Sequence, residues 1–244
     1  MKNIFVYVAS RRHKRSHTYY FAEKVIESVE KLTEINYEIF TPSNVNIEYC
    51  SGCQYCFKHA HCIKSNKDDM DMIEDKLIKA DFIIFASPVY VHNVSADMKN
   101  LIDRIGYWGH LLKLAGKGSA VLTTNMSNGH DTAADYLDKV LTSFGSTVVA
   151  KYNAATNYPD QLNNPDWLAA VCEIISLSIV DCLENGVESN PALEALFTSL
   201  KEMMILYKEH GINEGEWRYW EENNLFDYDS FASVLSRVNG DLVR

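Results

Sequence analysis

Proline and glycine are both scarce, at 5 and 11 of 244 residues. That excludes collagen-like repeats and Pro/Gly-rich disordered chains. Basic residues are outnumbered, 23 Lys and Arg against 33 Asp and Glu, for a net charge of −10. Nucleic acid is therefore not expected as a main partner, because phosphate binding needs clustered Lys and Arg. No apolar run reaches the ~18 residues of a membrane-spanning helix, so no membrane partner is expected. The N-terminus, Met1-Lys2-Asn3-Ile4-Phe5-Val6, enters a strand-like run without a signal-peptide core and small-residue cleavage site, and a cytoplasmic protein is expected. No Gly-x-Gly-x-x-Gly is present, so no separate dinucleotide site is expected. What remains is an ordinary globular composition, 47% apolar and 23% charged. The length suits one large domain, or one domain with an appendage.

Residues 3–9 form a continuous apolar run, as in a strand buried on both faces. A helical pattern follows from Thr18 to Lys31, with Phe21, Val25, Ile26 and Val29 on one stripe. Further strands are read at 36–41, 81–87, 119–124 and 146–151. Helices are read from Asp68-Asp69 onward, from Ser95 to Leu114, and from Thr132 to Phe144 with Gly145 as its cap. Five alternations of strand and helix predict a parallel sheet with helices on both faces. Two more helices, 165–185 and 191–210, lead into a segment rich in aromatics: Trp217, Tyr219, Trp220, Phe226, Tyr228 and Phe231. We place a sheet domain at 1–186 and a helical extension at 187–244. The aromatic tail is open to two readings, an interface between copies or packing on its own domain.

Ligands of open parallel sheets sit beyond the carboxyl ends of the strands. The loop after the first strand, Ser10-Arg11-Arg12-His13-Lys14-Arg15-Ser16-His17-Thr18, runs into a helix start whose free amides suit an anion such as phosphate. A capped helix with a solvated basic loop is the plainer alternative. The loop after the third strand, Ser87-Pro88-Val89-Tyr90-Val91-His92-Asn93-Val94-Ser95, is apolar and aromatic, as a wall for a flat ring would be. A simple proline turn fits it as well. The fourth loop, Thr124 to Gly129, is small and polar.

Four of the six cysteines, Cys50, Cys53, Cys56 and Cys62, follow C-x2-C-x2-C-x5-C. Thiolates at three-residue steps can wrap a four-iron cubane. Zinc more often takes two separated C-x2-C pairs. Buried or redox-sensitive thiols without metal are the third reading. Cys172 and Cys182 read as core thiols. His59 and His61 read as surface or loop residues, and Asp103 and Arg104 as members of an intrahelical or interface ion pair.

Three features together resemble the NADPH-dependent FMN reductase family, and within it the iron-sulfur flavoproteins. They are Ser10–Thr18, the cysteine group with Asp68-Asp69-Met70, and Pro88-Val89-Tyr90 … Asn93-Val94-Ser95 … Met98-Lys99 … Ile102-Asp103-Arg104. The resemblance spans about residues 1–150. It implies a flavodoxin-like three-layer sandwich of five parallel strands, with the C-terminal helical extension added. It implies FMN, its phosphate held by Ser10, Arg12, Ser16, His17 and Thr18. Pro88, Val89, Tyr90 and Asn93 would contact ring and ribityl chain, and Thr124, Asn125 and Gly129 would complete the site. Relatives with this cysteine spacing carry a [4Fe-4S] cluster, while others with similar cysteines hold FMN alone. The family's usual Gly-Ser-Pro-Arg opening is Ala9-Ser10-Arg11-Arg12 here, and His17 stands where Asn is common. The expected activity is electron transfer from NAD(P)H through FMN to a quinone, a small molecule or a flavin, with no acid or base needed for hydride transfer. The alternative is an electron carrier with FMN and [4Fe-4S] that exchanges electrons with a redox protein. A flavodoxin-like module without cofactor is the third reading. A homodimer or homotetramer is expected.

Overall fold

The computed structural model describes residues 1–242, with side chains through residue 238. Five strands, β1 (Lys2–Val8), β2 (Ile35–Phe40), β3 (Phe82–Pro88), β4 (Gly118–Asn125) and β5 (Thr147–Ala155), pair in parallel in the order β2-β1-β3-β4-β5. The alternation of side chains along β1 sorts its residues between two cores. Ile4, Val6 and Val8 face α1 (His17–Glu30) and α7 (Pro165–Asn185). Phe5 and Tyr7 face α3 (Met70–Lys79), α4 (Ala96–Arg104), α5 (Trp108–Leu111) and α6 (His130–Ser143). This is the flavodoxin-like three-layer sandwich. Its strand order reverses between β1 and β3, which opens a crevice at their carboxyl ends.

Two expected boundaries move. The helix read over 95–114 is broken at Ile105-Gly106-Tyr107 into α4 and α5. Gly106 is a poor helix former, and the break lets Trp108 and Leu111 bury fully. The fifth strand runs to Ala155 rather than ending at Lys151. Near its start, Val148 pairs with Ser119 and Ala150 with Ala120, so Val149 is bulged out of the ladder.

Beyond α7 come α8 (Pro191–His210), α9 (Glu214–Glu222) and α10 (Phe231–Leu242). Pro165 and Pro191 begin α7 and α8, each behind an Asn whose side chain caps the first amides. Leu193, Phe197, Met204, Trp220 and Phe231 join the same apolar cluster as β1 and α1. Trp220 stacks on Phe197 at 5.5 Å, and its indole N–H donates to the carbonyl of His110 (2.8 Å). The two largest buried aromatics of the tail thus pack within their own chain. No described helix is long and apolar enough to cross a membrane.

Candidate functional site

The loop after β1 turns through a short 3-10 segment, His13–Arg15, with His13 at φ +47° and its ring stacked on Tyr19. Ser16 caps α1, its hydroxyl accepting from the amide of Tyr19 (3.2 Å). The first-turn amides of His17 and Thr18 have no acceptor within the helix and so suit an anion. Arg11 is drawn away by a two-point pair with Asp97 at 2.7 and 3.0 Å, while exposed Arg12 stays at the cleft. The Thr18 and Thr124 hydroxyls meet at 2.6 Å, joining the first loop to the end of β4.

The loop after β3 is fixed from below. The hydroxyl of Ser95 donates to the carbonyl of Ala9 (2.8 Å) and caps α4, and its amide donates to the Ser87 hydroxyl (3.0 Å). Tyr90 and Asn93 exchange backbone hydrogen bonds around a two-residue turn. Both turn residues are left-handed, Val91 at φ +50° and His92 at φ +62°. Such a turn favours Gly and Asn, and holding other residues there costs about 1–3 kcal/mol each. Strain of this kind clusters at ligand sites.

Asn125 anchors the exit of β4. Its side-chain oxygen accepts from Asn153 (2.9 Å), and its carbonyl accepts from the amide of Thr156 (2.8 Å). Gly129, at φ +78°, lies under the strained turn, and a Cβ there would stand 2.8 Å from His92 Cα. Gly129→Ala is expected to cost about 1–3 kcal/mol, since clash and left-handed strain add. Urea unfolding reads this, and an unchanged midpoint would mean that the turn is free to move.

These loops enclose a cleft of about 730 Å³. Ten expected site residues line it: Ser10, Arg12, Ser16, His17, Thr18, Pro88, Val89, Tyr90, Thr124 and Asn125. Asn93 and Gly129 do not line it; they shape the turn beside it. Val91, His92, Met126, Ser127, Asn128, Thr156 and Asn157 also line the cleft. The last two escaped the sequence reading because β5 is longer than its apolar run.

The cysteine segment is a closed loop on the same rim. Asp69 accepts the amide of Asn46 (2.6 Å) and Asp68 that of Glu48 (2.7 Å), so both aspartates seal the base. Arg104, fully buried, forms a two-point ion pair with the equally buried Asp68 and donates to the carbonyl of Glu48 (2.8 Å). Burial opposes the Asp68 charge, but the guanidinium and two amides hold its carboxyl below the ordinary range. The Arg104 Nε is buried without a hydrogen-bond partner, and the Cys62 thiol is near enough to feel its charge. Asp103 instead pairs with Lys99 on the exposed face of α4.

Cys50 and Cys53 are exposed; Cys56, in the short helix α2 (Tyr55–His59), and Cys62 are half-buried. Burial pushes the Cys56 thiol up to about 11, with smaller contributions from the charges of Cys62, Cys50 and Cys53. Cys53 is held below its ordinary value by the Tyr55 amide, the Ser51 hydroxyl and Lys64. Cys56 thus feels the charges of the other three thiols. Among the described residues, no three Cys, His, Asp or Glu side chains are drawn around one metal point. The donor set itself, four thiols with a buried guanidinium behind them, suits a thiolate-bound cluster. Cys172 and Cys182 are buried core thiols.

The family model for NADPH-dependent FMN reductases matches residues 2–160. The chain belongs to the NADPH-dependent FMN reductase family. It is an FMN-dependent oxidoreductase. Iron-sulfur flavoproteins are among this reductase's relatives. One from Archaeoglobus fulgidus is 30% identical over 75% of this chain and 82% of its own. One from Clostridioides difficile is 26% identical over 83% and 89%. A crystal structure of RosB with a bound intermediate shares the reductase fold, with a TM-score of 0.58 at 14% identity over 75% of this chain and 81% of that one.

Proposed function

We propose that this cleft takes FMN and that electrons pass from NAD(P)H through it to a quinone, another small molecule or a free flavin. The observation that carries the reading is the polarity of the cleft. One end offers Arg12, Ser16, Thr18 and helix amides, and the other the apolar wall Pro88-Val89-Tyr90. The cleft volume lies within the range of ~300–1,000 Å³ usual for small-molecule sites. When bound, FMN supplies the hydride chemistry. The chain's own part is to hold the phosphate through Arg12, the hydroxyls and the amides, and to orient the ring against Pro88 and Tyr90. It also keeps water from the buried side. Exposed Tyr90 and Val91 leave the other side open to a nicotinamide.

A second reading, an electron carrier with FMN and a [4Fe-4S] cluster on Cys50, Cys53, Cys56 and Cys62, is favoured by the donor set, four free thiols carried on one closed loop. The names of the relatives agree with it. A redox protein would then be the electron partner. The visible spectrum of protein purified without oxygen separates the readings. Flavin bands alone support the first. Flavin bands over a broad iron-sulfur absorption support the second. A colourless protein that takes up no added FMN overturns both.

A further inference from the structure

We propose that α9, in the C-terminal extension, is part of the cysteine site: it clamps α2 and so fixes where Cys56 and Cys62 sit. Two contacts carry this. At Gly215 the backbones of α9 and α2 cross so closely that a Cβ would lie 2.4 Å from the amide nitrogen of His59 and 2.5 Å from that of Ala60. Backbone cannot swing aside as a side chain does. Glycine in a helix costs about 1 kcal/mol against alanine, so the close crossing gives this residue its purpose.

The second contact runs through a buried charge. Glu216 is wholly buried, and its carboxylate meets His110 Nδ1 at 2.6 Å and accepts from Asn213 at 3.2 Å. Four residues on, the Trp220 indole donates to the His110 carbonyl. The imidazole so held lies flat against Phe57, ring centroids 5.7 Å apart. Phe57 adjoins Cys56, and Phe57, Cys56 and Cys62 pack on the same apolar core as Tyr219 of α9. Backbone and side-chain routes therefore lead independently from α9 to the half-buried thiols. Exposed Cys50 and Cys53 do not join that apolar core among the described residues. That this positioning serves a cluster rests on the second reading above; the clamp itself does not.

The test uses the full chain, freed of metal by a chelator and kept without oxygen. An aromatic disulfide reagent labels the thiols, and mass spectrometry reads each one. Buried Cys172 and Cys182 report on the integrity of the fold. In Gly215→Leu, Cys56 and Cys62 are expected to react about ten-fold faster, as a local opening would allow. Cys172 and Cys182 stay protected and FMN affinity is unchanged. Unchanged rates at Cys56 and Cys62 would overturn the clamp. If Gly215→Leu exposes all six thiols, Gly215→Ala decides. A rise confined to Cys56 and Cys62 supports the proposal, and no rise overturns it.

Reconstitution with sulfide and equal amounts of ferrous and ferric iron addresses the cluster separately. The wild type is expected to take up both, and Gly215→Ala to bind about ten-fold more weakly, the usual loss when ligands lose their supporting shell. The electron paramagnetic resonance line shape of its reduced form should also change. A wild type that takes up neither, with the thiol rates still shifted, keeps the clamp and removes the cluster.

Discussion

Arg104→Ala is expected to lower stability by about 3–5 kcal/mol, because it strands the Asp68 carboxylate in the interior. Neither side chain of this pair is exposed to solvent. Asp68 also accepts the amides of Glu48 and Met70, so the lost cation would leave a charged junction at the base of the cysteine loop. Arg104→Lys should recover little, since an ammonium lacks the planar fork that meets the Asp68 carboxylate at two points while donating to the Glu48 carbonyl. Urea unfolding at pH 7 measures the loss. A loss below about 1 kcal/mol would mean that the pair behaves like a solvated surface bridge. The pH dependence has a fixed sign. The Asp68 carboxyl is held below its unfolded value of about 4, so its contribution is complete above that pH. It fades as the solution is acidified through the lower folded value. An acid-unfolding profile of Arg104→Ala should lack this fading. A profile parallel to the wild type would remove Asp68 from the account.

Arg12→Ala is expected to weaken FMN binding about 10- to 100-fold, the worth of a charge-assisted hydrogen bond to a phosphate. Arg12 is exposed, so the unfolding midpoint of the cofactor-free protein should not move. Arg11→Ala is the control. Its guanidinium is engaged by Asp97, and its loss should leave FMN affinity nearly intact. Fluorescence titration with FMN reads both. Equal losses in the two variants would show a general electrostatic effect, and full retention in Arg12→Ala would place the phosphate elsewhere.

The layers were legible because β1, β3 and β4 are buried on both faces, which leaves their runs continuously apolar. The first-loop residues were legible because a polar loop entering an amphipathic helix fixes where free amides lie. Other features leave little local trace. Val91 and His92 are neither Gly nor Asn, so nothing in their identity announces a left-handed turn. Asn153-Ala154-Ala155 lacks the β-branched residues that mark a strand, yet pairs with Thr123 to Asn125. The partner of Arg104 lies 36 residues away, and only the closed loop brings it near. The use of Gly215 depends on a contact with residues over 150 positions upstream, which no local pattern encodes.

Because Trp220 and Phe231 complete the apolar layer that also buries Ile4 and Val6, the first strand waits for residues made about 200 positions later. Synthesis proceeds at ~5–20 residues per second, so that face of the sheet stays open for ten seconds or more. During this interval the growing polypeptide offers holding chaperones a greasy flank, which shuts only once Trp220 and Phe231 have emerged.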